Sequence, residues 1–126
     1  MQLEPGLSSK VDLVVAAQDT AESLGSGDVP VLATPRIIAL VEQASLAAVA
    51  PAFDNGTTTV GYRVQLDHMA PTPIGEKVSA EAVLETIEGR RLTFRVSVSD
   101  EHQLVAVGRV TRVIVDRARF LAKTTP

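Results

Sequence analysis

The stretch Ala33-Thr34-Pro35-Arg36-Ile37-Ile38-Ala39-Leu40-Val41-Glu42-Gln43-Ala44-Ser45-Leu46-Ala47-Ala48-Val49-Ala50-Pro51 decides the fold. Thr before Pro reads as a helix start. A hydroxyl there can cap free backbone N–H groups, and proline needs no N–H partner in the first turn. Ile37, Ile38, Leu40, Val41, Ala44, Ser45, Ala48 and Val49 follow at helical spacing, and Pro51 ends the run. Roughly sixteen residues would span about 24 Å. Only Arg36, Glu42 and Gln43 break the apolar character, so the helix is expected to be buried on several sides rather than along one stripe.

Outward from this helix the pattern changes period. Upstream, Val11 to Ala17 is a short apolar run suited to a strand. Asp19 to Pro30 is small, polar and Gly-rich and reads as a loop, with a short helix at its start. Downstream, Asp54-Asn55-Gly56 is a turn, after which everything reads as strand. Thr57 to Ala70 alternates with Val60, Tyr62, Val64, Leu66, His68 and Ala70 on one face. Lys77 to Glu88, Arg91 to Ser99 and Leu104 to Asp116 alternate likewise, joined at Glu88-Gly89 and Asp100 to Gln103. An α+β domain follows, with an antiparallel sheet of about five strands wrapped round one long central helix, the hotdog arrangement.

The chain's 126 residues make one domain, spanning 1–126, with a core of its own. Aromatics are only 3% of the chain, so Val, Ala, Leu and Ile must build that core. A net charge of −3 leaves no broad basic face for a nucleic-acid backbone. The chain has no cysteine, which excludes thiolate chemistry and Cys-type zinc sites, and two histidines without metal-binding spacing argue against a catalytic metal. No signal-like start and no long apolar run are present, so a cytoplasmic protein away from the membrane is expected.

Three polar residues stand out as candidates for chemistry. His68 shares strand parity with apolar neighbours and should face the helix, where a core histidine bonded to a carbonyl is the structural alternative. Glu42 interrupts the apolar helix, as a carboxylate for chemistry or as half of an ion pair. Thr34 is a cap or a hydroxyl donor. It lies roughly 12 Å along the helix axis from Glu42. Because helical side chains lean towards the N-terminus, a shared pocket near the helix start is feasible. Arg112 has the parity of Ala106, Val110 and Ile114, so its guanidinium should meet an acid or an anion. Gly61 marks a bulge or a close backbone approach.

These residues carry a family resemblance. Val31-Leu32-Ala33-Thr34 running into Ile37 to Ala44, Gly61, Leu66-Asp67-His68 followed by Pro71, Pro73 and Gly75, and Glu88-Gly89-Arg90-Arg91-Leu92 resemble the fluoroacetyl-CoA branch of the hotdog thioesterases. The resemblance runs from about Val29 to Phe120, and the spacing Thr34–Glu42–His68 is its specific part. It implies hydrolysis of an acyl-CoA thioester with no cofactor beyond the CoA of the substrate. Thr34, Glu42 and His68 become the catalytic group, and Gly61 and Arg112 line the substrate site. Glu42 then attacks the carbonyl or activates a water, and a backbone N–H such as that of Gly61 steadies the oxyanion. The resemblance also implies a homodimer, or a higher oligomer, with its sites at the subunit interface, so that His68 can meet a partner's Glu42.

Two departures from the family pattern matter. Ala21 to Pro30 contains no aromatic residue to form a lid, and Pro35 follows Thr34 where the family has glycine. A small acyl group other than fluoroacetyl is therefore expected. Lys77, Arg90, Arg91, Arg117, Arg119 and Lys123 are available for the CoA phosphates, although no Gly-rich phosphate motif is present. The alternatives are an acyl-CoA-binding module on the same fold and an enoyl-thioester hydratase. Asp67 and His68, adjacent and on opposite strand faces, do not suit the latter.

Overall fold

The computed structural model describes residues 2–126. The strands β1 (Ser8–Val14), β2 (Thr57–His68), β3 (Lys77–Glu88), β4 (Arg91–Ser99) and β5 (Leu104–Asp116) form one sheet in the order β1-β3-β4-β5-β2. Every neighbouring pair is antiparallel. Three helices accompany it: α1 (Ala21–Leu24), α2 (Thr34–Val49) and α3 (Arg117–Ala122). This is the hotdog arrangement expected from the pattern. No helix is long and apolar enough to cross a membrane among the described residues.

The core forms between α2 and the curled sheet. Leu40, Val41 and Val49 of α2 meet Ala80, Ala82 and Val98 of the sheet, all essentially inaccessible to water. Phe94 is the one fully buried aromatic side chain among the described residues, so small aliphatic residues fill the rest. The helix is not buried on several sides, however. It packs chiefly on β1 and β3 and touches β2 and β5 lightly. Ala39, Gln43, Leu46 and Ala47 remain exposed on its other face. An apolar helix face with nothing over it in one chain is surface available to a second copy.

Three further local expectations change. β1 begins and ends three residues earlier than the apolar run, because its ladder with β3, rather than its apolarity, defines it. A bulge between Gly61 and Arg63 inserts one residue into β2 and reverses its parity there. Thr59 and Gly61 therefore face the helix with Val64, Leu66 and His68, while Tyr62 is 51% exposed. A second shift between Leu84 and Thr86 of β3 exposes Thr86 and brings Ile87 against the core. Beyond β5 the chain turns into α3, with the Asp116 carboxylate accepting from the Arg119 N–H at 3.0 Å.

Candidate active site

Thr34 is the first residue of α2 and does not cap it. Ala33 is the N-cap and contributes no side-chain bond. The Thr34 hydroxyl turns instead to His68 Nδ1, at 2.7 Å. His68 Nε2 lies 3.1 Å from the Ala70 carbonyl oxygen. A carbonyl only accepts, so Nε2 carries the proton in the neutral ring and Nδ1 receives the Thr34 O–H. An exposed hydroxyl is thus bonded to a basic nitrogen whose ring is fixed from the other side.

The segment before α2 is tightly tied. Asp19 is buried, accepting from the Ala16 N–H at 2.8 Å and from Arg36 Nε at 2.9 Å. Its carbonyl accepts from the Ala33 N–H at 2.9 Å, and the Thr72 carbonyl accepts from the Leu32 N–H at 2.9 Å. These bonds hold Leu32 and Ala33 on both sides, and so fix where Thr34 begins the helix. Sequence reasoning missed Asp19, whose signal is weak because an acid in a polar loop reads as solvated.

Glu42 belongs to a second group. Arg112 Nη1 donates to Glu42 Oε2 at 3.3 Å. Arg112 is itself buried, with Nε donating to Thr59 Oγ1 at 2.8 Å and Nη2 to the Thr59 carbonyl at 2.9 Å. Burial pushes the guanidinium below its ordinary pKa, and the charge and hydrogen bond of Glu42 oppose that shift. Thr59 orients the arginine and was hidden from sequence reasoning by the parity reversal at the bulge. Gly61 completes the group: a β-carbon there would overlap Glu42 Oε2, so the missing side chain lets the carboxylate lie against β2.

Within one chain the expected residues therefore fall into two separate groups rather than one pocket. Thr34 meets His68, and Glu42 meets Gly61 and Arg112. Gly61 and His68 are seven residues apart on β2, which puts roughly 23 Å of strand between the two groups. Among the described residues no cluster of His, Cys, Asp or Glu is arranged to hold a metal ion.

Comparison with known proteins points in one direction. Residues 15–118 match the family described as FlK, fluoroacetyl-CoA-specific thioesterase. The fluoroacetyl-CoA thioesterase of Streptantibioticus cattleyicolor is 36% identical over 93 residues, covering 74% of this chain and 67% of that one. A solved structure of the fluoroacetyl-CoA thioesterase FlK superimposes with a TM-score of 0.91 at 31% identity over 100% of both chains. A variant of FlK in complex with acetyl-CoA gives 0.92 at 30% identity, over 98% of this chain and 100% of that one.

Proposed function

The chain belongs to the fluoroacetyl-CoA-specific thioesterase family, and on that premise we propose that Thr34, Glu42 and His68 carry its hydrolysis of acyl-CoA thioesters. The observation that carries the proposal is the Thr34–His68 bond: a helix-start hydroxyl that caps nothing and is given to an imidazole. Arg112 holds Glu42 in place beside Gly61. Glu42 then attacks the thioester carbonyl, expelling the CoA thiolate and leaving an acyl anhydride that a water hydrolyses to the free acid and the Glu42 carboxylate, or it takes a proton from a water that attacks the carbonyl and expels the thiolate directly. Thr34 and His68 position the thioester and manage the proton, and the Gly61 backbone lines the reacting carbonyl. Neither route needs a cofactor beyond the CoA of the substrate.

The unit of activity in this proposal is a homodimer. β2 is an edge strand of twelve residues with its outer side unpaired, an arrangement that natural proteins cover. Antiparallel pairing of two β2 edges about the midpoint of Val64 and Gln65 sets Gly61 of one protomer opposite His68 of the partner subunit. The Glu42 group and the Thr34–His68 pair then meet across the interface, giving two composite sites. α2 covers β2 and β5 only lightly and leaves Ala39, Gln43, Leu46 and Ala47 exposed, which supports the same mode.

The acyl group is small and differs from fluoroacetyl in this reading. The segment before α2 presents Leu24 and Val29, each 48% exposed, where an aromatic lid would be needed. A cytoplasmic location, where CoA thioesters are made and used, is part of the same proposal. The test is free-thiol release from short, branched, aromatic and fluorinated acyl-CoAs by wild type, Glu42→Gln and His68→Ala, with circular dichroism on each. Turnover should collapse in both folded variants. Turnover indifferent to both changes would remove these residues from the mechanism.

A further inference from the structure

A hydroxyl set 2.7 Å from an imidazole nitrogen must be fixed at both ends. The start of α2 lacks the usual restraint, because Ala33 is the N-cap and offers no side-chain bond. The restraint comes from outside the helix. Val31 to Ala33 form the middle line of a three-stranded ribbon. On one margin Thr20 pairs with Leu32, and the Val31 carbonyl accepts from the Ala21 N–H at 2.9 Å. On the other, Val31 pairs with Pro73, and the Leu32 N–H donates to the Thr72 carbonyl at 2.9 Å. That second margin begins just beyond Ala70, whose carbonyl oxygen fixes the His68 ring. One ribbon therefore carries both members of the Thr34–His68 pair.

Asp19 stands at the end of the first margin and grips α2 twice. Its carbonyl accepts from the Ala33 N–H and its carboxylate Oδ1 from Arg36 Nε, both at 2.9 Å, so Thr34 lies between the two held residues. The other carboxylate oxygen accepts from the Ala16 N–H at 2.8 Å, which ties the grip to the chain leaving β1. The Asp19 side chain is 5% exposed and that of Arg36 28%. Holding a carboxylate in such a place is costly, and an apolar residue would serve packing as well. What the charged pair adds is geometry: each carboxylate oxygen has its own partner, in two different segments.

We propose that Asp19 and Arg36 are positioning residues for the hydrolysis, their ion pair setting where the first turn of α2 presents the Thr34 hydroxyl to His68 Nδ1. For its effect on turnover the proposal rests on the thioesterase reading; for its geometry it rests on the Thr34–His68 bond alone. A misplacement of about 1 Å at a reacting group costs up to about 10²-fold in rate. Asp19 acts on the hydroxyl through the adjacent backbone of Ala33, and Arg36 through the first helical turn.

Two variants loosen the grip from opposite ends. Asp19→Asn keeps the shape but leaves one acceptor oxygen for two donors, so the Ala16 or the Arg36 bond is lost. Arg36→Gln removes the cation and spares the bonds of Asp19 to Ala16 and Ala33. Both, their combination and Thr34→Val are assayed on one acyl-CoA with thermal melts, and each is labelled with 15N-histidine. The chain has two histidines, so the His68 Nδ1 resonance is identified by its loss in His68→Ala. Thr34→Val supplies its position when the hydroxyl is gone. Asp19→Asn and Arg36→Gln each lower kcat by about tenfold to 10²-fold with KM little changed, and each moves the Nδ1 resonance towards its place in Thr34→Val. The combination falls no further than the poorer single variant, as two ends of one contact require. Glu85→Ala, which breaks the exposed pairs with Arg95 and Arg109 elsewhere in the sheet, leaves both readouts at wild-type values.

A folded Asp19→Asn that keeps the wild-type kcat, or an unmoved Nδ1 resonance, overturns the proposal. So does an equal loss in Glu85→Ala, or a combined variant whose losses multiply. Where Asp19→Asn does not fold, Arg36→Gln decides by the same two readouts. Absence of thiol release by wild type from any thioester would sink the thioesterase reading alone, because the Nδ1 resonance still decides whether Asp19 and Arg36 place Thr34.

Discussion

Glu42 Oε2 occupies the space beside Gly61 that any β-carbon on residue 61 would need. The overlap is with the end of a side chain, so an alanine there is accommodated by swinging the carboxylate away and leaves the strand in place. Gly61→Ala should therefore fold, with its loss of stability limited to that of the broken Arg112–Glu42 pair, and lose most of its turnover, as Glu42 leaves Arg112 and the reacting centre. Thermal melts beside thiol-release assays check this. Full activity in Gly61→Ala would mean that the position of the Glu42 carboxylate is irrelevant to hydrolysis.

Gly108 provides the opposite case. A β-carbon there would overlap the Gln65 carbonyl oxygen and come within 2.9 Å of the Gln65 carbonyl carbon and Leu66 Cα, all backbone atoms of β2. Neither strand can yield without disturbing the β2–β5 ladder in which Leu66 and Gly108 are opposite partners. Gly108→Ala should cost about 1–3 kcal/mol, read from the denaturant midpoint. An unchanged midpoint would show that β2 and β5 are less closely apposed than described.

The two glycines illustrate what the sequence carries openly and what it conceals. The helix and four long strands were legible because their periods, turns and flanking prolines all agree, and β3, β4 and β5 have the expected ends. Bulges are written in no period, so the face of Tyr62 and the unbroken alternation of Lys77 to Glu88 were read wrongly, and Thr59 beside Arg112 was passed over. Arg112 announced an anionic partner by its parity, and that partner is Glu42. The grouping of Thr34 with His68 and of Glu42 with Gly61 was beyond reach, since it depends on which end of β2 each helix turn overlies.

The Thr34–His68 bond separates two uses of one hydroxyl. Thr34 is exposed and caps nothing, so Thr34→Val should change stability by no more than about 0.5 kcal/mol. Removal of a positioned hydroxyl from proton handling should lower kcat roughly 10²–10⁴-fold. Thr34→Ser keeps the oxygen and should keep most of the rate. Equal activity in Thr34→Val and wild type would reduce the bond to a structural tie.

Arg112 makes three hydrogen bonds in a fork, two to Thr59 and one to Glu42. A lysine carries the charge but cannot reproduce the fork, and it is left partly unpaired in a buried place. Arg112→Lys should lose about 2–4 kcal/mol of stability, together with activity. Comparing it with Thr59→Val, which removes only one of the three acceptors, apportions the effect. A lysine variant as stable as wild type would show that charge alone holds Glu42.

Whether the two half-sites belong to one chain or to two can be decided without a structure of the dimer. Glu42→Gln and His68→Ala are each expected to be inactive as pure proteins. When they are unfolded together and refolded, random pairing makes half of the dimers mixed. If Glu42 of one subunit works with His68 of the partner subunit, each mixed dimer has one site with both native groups and one with neither. Activity should then return to roughly a quarter of wild type. If Glu42 and His68 act within the same chain, every site in every dimer lacks one group, and mixing restores nothing. Recovery is thus the signature of sites shared across the β2 edges, and its absence would return both residues to a single protomer.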